Sequence, residues 1–184
     1  DLIVYATGFQ VTDDFRRRLG LDVEGRNGLS LFDHWRDGQQ TLHGFTTRGF
    51  PNWFYIGVSQ NAFSVNMTSM FDEQARHVAY LIGETIRRGA VTVEPSQDGQ
   101  DEWCRLIADI APRSGGFLAA CTPGYYNQEG ATSANSFLGA YTPGLNAFTR
   151  LLEEWRSAGD MAGLELVTSS VVDTSSTAAE GPRP

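Results

Sequence analysis

Cysteine is scarce: the 184-residue chain holds two, Cys104 and Cys121, in no CxxC pair and with no histidine nearby at ligand spacing. That argues against a disulfide framework and a thiolate metal site, and it suits a reducing compartment. Positive charge is short as well. Fourteen Lys and Arg stand against 22 Asp and Glu, a formal charge of −8, whereas a duplex-binding protein needs a basic face to neutralise phosphates. The clusters Arg16, Arg17, Arg18 and Arg87, Arg88 read as solvated helix ends. No apolar run reaches the roughly 18–20 residues of a membrane span, and no charged-then-apolar leader opens the chain. The expectation is a cytoplasmic protein with neither nucleic acid nor membrane as partner. No two glycines are separated by a single residue, so the GxGxxG turn that cradles a dinucleotide pyrophosphate occurs nowhere.

Catalytic constellations are equally thin. His34, His43 and His77 stand in no triad context, and no serine sits in a GxSxG elbow, which leaves a hydrolase unsupported. The pairs Asp13-Asp14 and Glu153-Glu154 read as solvated helix faces rather than paired acid and base. No catalytic residue and no metal ligand is assignable.

What is present is an ordinary globular balance, 41% hydrophobic and 20% charged, long enough for one domain with a core. Residues 2–6 form an apolar run ended by Thr7-Gly8, the pattern of a strand covered on both faces. A chain that opens inside such a strand reads as a piece of a longer protein. Leu31, Phe32 and Trp35 form an aromatic anchor before Asp37-Gly38. Residues 42–46 and 53–57 read as two strands around the turn Gly49-Phe50-Pro51-Asn52. Ala75, Val78, Ala79, Ile82 and Ile86 share one helical face, with Asn66 or Thr68 as cap and Gly89 at the stop. Residues 91–94 read as extended. A second helix follows with Trp103, Leu106, Ile107 and Ile110 on one face and Pro112 beyond it. A third spans about 145–158 on Phe148, Leu151, Leu152 and Trp155, and 164–167 reads as a last strand. Residues 1–167 are thus the expected folded part. Residues 168–184, rich in Ser, Thr, Ala, Gly and Pro, are expected to form a disordered tail.

Two stretches together carry a family resemblance. Asp1-Leu2-Ile3-Val4-Tyr5-Ala6-Thr7-Gly8-Phe9 resembles the strand-plus-ATG motif of flavoproteins with two dinucleotide-binding domains. Downstream, Trp35, Gly38, Thr41, Gly44 and then Gly49-Phe50-Pro51-Asn52-Trp53-Phe54-Tyr55-Ile56-Gly57 resemble the conserved stretch of Baeyer–Villiger monooxygenases and their class B flavin-monooxygenase relatives. Val58 stands where that pattern has proline. The resemblance implies an α/β fold: the C-terminal half of an incomplete FAD-binding domain, with three main helices. Both pyrophosphate fingerprints and the active-site arginine would lie in a missing N-terminal part.

The implied activity is oxygen insertion into a ketone through a C4a-peroxyflavin, with FAD and NADPH as cofactors and O2 as co-substrate. By position, Thr7, Gly8, Gly57, Asn66 and Met67 would face the cofactor, and Phe63, Ser64, Met67 and Tyr125 the substrate. A helix start presents unpaired N–H groups and partial positive charge, which favours a negatively charged flavin edge. On the residues alone, Asn66 serves equally as a plain cap and Met67 as packing. The stretch Thr122-Pro123-Gly124-Tyr125-Tyr126-Asn127 resembles a C-terminal loop of the same enzymes, with one tyrosine readable as core. Alternatives are a related N-hydroxylase or S- or N-oxygenating enzyme and, from another class, a non-catalytic binding module.

Overall fold

The computed structural model describes residues 2–5, 20–110 and 139–168. In chain order it contains a 3-10 turn at Arg26–Gly28, then α1 (Leu31–His34), α2 (Met67–Arg87), β1 (Ala90–Pro95), α3 (Gln97–Ile110), α4 (Leu145–Ala158) and β2 (Leu164–Thr168). The two strands pair antiparallel, with Val93 opposite Leu166 and Pro95 opposite Leu164.

The three long helices start and stop on local chemistry. At α2, the Asn66 side chain accepts from the Ser69 N–H, and the helix ends just before Gly89, whose φ of +66° few side chains tolerate. At α3, the Ser96 hydroxyl accepts from the Gly99 N–H at 3.1 Å, the geometry of an N-cap. At α4, Gly159 closes the last turn in the left-handed region.

Packing then joins elements far apart in sequence. Leu42, Phe45 and Ala62 come together with Trp103 and Ile107 of α3 and Phe148 and Leu152 of α4. Phe45 and Leu152 have no exposed surface, and full burial of such a side chain contributes about 1.5–3 kcal/mol. A smaller cluster unites Leu31, Trp35 and Phe50. A third places Leu81 of α2 over Val93 of β1 and Met161. The helix of residues 97–110 comes so close to the turn before β2 that a Cβ on Gly99 would lie 2.5 Å from the Gly163 Cα.

Several expectations are corrected. Residues 2–5 are not a buried strand: Leu2, Ile3, Val4 and Tyr5 are all exposed, and no strand among the described residues lies beside them. Residues 42–46 form a tight turn closed by a single bridge between Leu42 and Thr46, because His43 and Gly44 both take positive φ and turn the chain back. Residues 53–57 make no ladder. Tyr55 donates its N–H to the Phe45 carbonyl at 2.7 Å, and the segment carries no strand.

The largest correction concerns α2. The helix lies where its caps place it, but its buried face is Met70, Gln74, His77, Leu81 and Thr85. Of the face expected to be buried, Ala75, Ala79, Ile82 and Ile86 are exposed and Val78 is half-buried. The helix turns polar side chains inward, Gln74 onto the Gly57 backbone, His77 among aromatic rings and Thr85 onto the Leu81 carbonyl of its own helix, and leaves an apolar stripe outside. Residues 1, 6–19, 111–138 and 169–184 lie outside the described residues. With them go Thr7, Gly8, Tyr125 and nearly all of the expected tail, whose first residue, Thr168, belongs to β2.

Asn52 shows what the Gly49-Phe50-Pro51-Asn52 turn does in this fold. Its φ is +59°, and its side chain reads the edge of β1 as a neighbouring strand would. Nδ2 donates to the Val91 carbonyl at 2.9 Å, and Oδ1 accepts from the Val93 N–H at 3.0 Å. Gly49 donates its N–H to Glu94 at 2.8 Å, and Glu94 also pairs with Arg26. The turn therefore docks onto β1. Asn52→Ala should lower stability by about 1–2 kcal/mol, read as a shift in urea midpoint. Asn52→Asp keeps the acceptor for the Val93 N–H but sets a carboxylate oxygen against the Val91 carbonyl, so it should not recover the loss.

Candidate functional site: the loop before helix α2

Residues 57–66 lead into the amino end of α2 and divide into a buried base and an exposed tip. The base is built from amide side chains. Gln60, at φ +56°, accepts from the Thr41 N–H at 2.9 Å through Oε1 and donates to the Gln39 carbonyl through Nε2. Its own carbonyl accepts from the Trp103 indole at 3.0 Å. Asn61 has no exposed surface, and its carbonyl accepts from the Tyr141 N–H at 2.9 Å. Both backbone groups of Gly57 are held by one side chain: Gln74 Oε1 accepts the Gly57 N–H at 3.0 Å, and Gln74 Nε2 donates to its carbonyl at 2.8 Å.

The tip is the opposite in character. Phe63 and Met67 are each 43% exposed and Val65 is 95% exposed. Ser64 Oγ accepts from the Asn66 N–H at 3.2 Å. The 21-residue helix then begins with no acidic residue in its first turn, so the partial positive charge of its amino end is not cancelled locally. The structure thus gathers Gly57, Phe63, Ser64, Asn66 and Met67 into one loop–helix junction. Asn66 is a true cap, and Met67 is not core packing. Gln60, Asn61 and Gln74 were missed from sequence, because polar residues on a buried face are invisible to apolar periodicity.

The donor chemistry of this junction suits a flavin. It offers free helix N–H groups toward negative charge and exposed apolar side chains beside them for a flat ring. Gly57 is packed so tightly against the Tyr55 ring that a Cβ would collide with it.

A separate cluster is titratable but unsuited to proton transfer. His43 and His77 lie with ring centroids 5.7 Å apart, His43 against Trp103 at 4.8 Å and His77 against Phe45 at 4.9 Å. Burial lowers His43 to about 4. Burial first, then repulsion from His43 and Arg156, lowers His77 to about 2. Both are neutral at ordinary pH. A cleft of about 420 Å³ borders this cluster, lined by Leu42, His43, Trp103, Leu151, Trp155 and Gly163 among others and by no residue of the loop. Among the described residues no group of His, Cys, Asp and Glu is arranged to hold a metal ion, and no helix is long and apolar enough to cross a membrane.

Comparison with known proteins agrees with this architecture. Pentalenolactone D synthase of Streptomyces exfoliatus is 41% identical over 169 residues, covering 90% of this chain and 29% of that protein. A Baeyer–Villiger monooxygenase of Streptomyces coelicolor is 45% identical over 157 residues, covering 85% and 26%. A FAD-binding monooxygenase of Aspergillus calidoustus is 34% identical over 185 residues, covering 90% and 27%. Among solved structures, cyclohexanone monooxygenase from Rhodococcus sp. Phi1 bound to NADP+ superposes with a TM-score of 0.71 at 26% identity, over 89% of this chain and 30% of that one. The polycyclic ketone monooxygenase of Thermothelomyces thermophila gives 0.71 at 29% identity, over 84% and 25%. No protein-family model matches the chain.

The mixed helix-and-strand architecture thus aligns with part of a monooxygenase fold. More narrowly, the chain is similar to a part of the Baeyer–Villiger monooxygenases. It spans under a third of the length of the relatives it matches.

Proposed function

We propose that this chain is the C-terminal part of the FAD-binding domain of a Baeyer–Villiger monooxygenase, acting on a ketone with NADPH and O2. The observation that carries this reading is the junction at residues 57–67: a rigid amide-built base, an exposed apolar tip and a helix start free of acidic residues. FAD, when bound, supplies the redox chemistry that activates oxygen. The chain's own residues bind and orient. The α2 amino end stabilises negative charge on the ring edge. Phe63 and Met67 exclude water beside it, and Ser64 with Asn66 keeps the loop end in register with the helix.

The outward stripe of α2 supports the same reading. Ile82 is 42% and Ile86 71% exposed, with Ala75 and Ala79 between them and the helix start. A helix with apolar residues outward and Gln74, His77 and Thr85 inward has a second partner to pack against. In this reading that partner is the remainder of the FAD-binding domain.

The test is the visible spectrum of the natural gene product purified without added cofactor. An oxidised-flavin spectrum that bleaches anaerobically with NADPH and returns with oxygen is the expected result. A product that stays colourless after FAD is offered overturns the reading.

A further inference from the structure

We propose that Gln74 is a positioning residue that locks the loop carrying Phe63, Ser64 and Asn66 to the helix that follows it. The inference rests on the flavin-facing reading of that loop. Gln74 lies on the second turn of α2, 1% exposed, and its planar carboxamide spans the two backbone groups of Gly57 at 3.0 and 2.8 Å. One acceptor and one donor on the same flat group is what the N–H and C=O of one residue require. Asn61 adds a second donor to the same carbonyl at 3.0 Å. The chain from Gly57 to Met67 thus leaves the helix's flank and returns to its start, and Gln74 closes the ring. With that ring closed, Gly57 and the helix amino end cannot move independently.

A second observation points the same way. Asn61 Oδ1 is buried and has no hydrogen-bond partner. An orphaned acceptor of this kind is retained where a side chain serves a geometric task. Asn61 also fills the space above Gly44, where a Cβ would lie 2.9 Å from its own Cβ, so the loop base is wedged as well as hydrogen-bonded. The clamp is buried and the tip is exposed, which is the arrangement that presents flexible side chains from a fixed platform.

The chemistry of the clamp supplies its own test, in the FAD-loaded full-length protein. Gln74→Leu removes donor and acceptor together. Gln74→Glu is conditional: a protonated carboxyl offers the same donor and acceptor as the amide, whereas a carboxylate is acceptor only and opposes the Gly57 carbonyl. Burial raises the pKa of such a carboxyl, so the variant should interconvert between the two states from pH 6.5 to 9. Among the described residues no charged group bonds to Gln74 or Gly57, and His77, one turn further along, stays neutral across this range.

The readouts are the position of the flavin absorption band and the FAD dissociation constant. In wild type both should be flat with pH. In Gln74→Leu the band should move and FAD binding should weaken about tenfold at every pH. Gln74→Glu should match wild type near pH 6.5 and approach Gln74→Leu near pH 9. Wild-type flavin binding with both variants unchanged in spectrum and affinity, whatever their melting temperature, overturns the inference alone. A wild-type protein that binds no FAD overturns the functional reading beneath it.

Discussion

Acidification from pH 7 to pH 4 is expected to remove several kcal/mol of stability from this chain, most of it through two histidines. His43 and His77 have their folded pKa values lowered from 6.5 to about 4 and about 2, by burial above all. Below pH 6.5 the unfolded chain takes up protons that the folded chain refuses. Stability is therefore fully present above 6.5 and falls as the pH falls. The slope approaches about 1.4 kcal/mol per pH unit for each histidine. For His43 the loss is complete near pH 4, and for His77 it continues below. A few such units match the whole stability of a small domain. Urea midpoints measured from pH 8 to pH 4 should therefore fall steeply below 6.5. His77→Leu should flatten that slope whatever it does to stability at neutral pH. A midpoint indifferent to pH over this range would mean that neither imidazole is buried in solution.

The second large effect comes from a glycine whose substitution ought to help. Gly99 lies inside α3, where alanine is intrinsically better by about 1 kcal/mol. Here a Cβ would lie 2.5 Å from the Gly163 Cα and 2.7 Å from its carbonyl oxygen, backbone against backbone. Neither side can yield without separating α3 from the turn that leads into β2. Gly99→Ala should therefore destabilise by about 2–3 kcal/mol net. Gly83, inside α2, has nothing within 4 Å of where its Cβ would stand, so Gly83→Ala should stabilise by about 0.5–1 kcal/mol. Opposite signs for the same exchange in two helices, measured by thermal or urea unfolding, would confirm the close approach. Equal signs would refute it.

These cases show which parts of the fold a linear reading reaches. Helix positions were legible because their determinants are local: Asn66 as cap, Gly89 and Gly159 as stops, and regular spacing in between. Strand 164–168 was legible as a strand, but its antiparallel pairing with β1 depends on contacts more than sixty residues away. Residues 42–46 misled because aromatic and β-branched residues favour extension, while His43 and Gly44 impose positive φ. The buried face of α2 misled for a deeper reason. Apolar periodicity finds a helix's most hydrophobic side, and in α2 the inward side carries Gln74, His77 and Thr85. At the candidate site, Gly57, Phe63, Ser64, Asn66 and Met67 are proposed through family resemblance. The amide scaffold beneath them, Gln60, Asn61 and Gln74, was found only through its hydrogen bonds.

The outward apolar stripe of α2 has a practical consequence for anyone who engineers this chain. A screen that rewards solubility or melting temperature will favour charged replacements at Ile82 and Ile86, since nothing in the described core depends on them. Each such gain would erase a face that the assay cannot see. On the reading proposed above, variants ranked best in isolation would then be those least able to pack against the remainder of the FAD-binding domain.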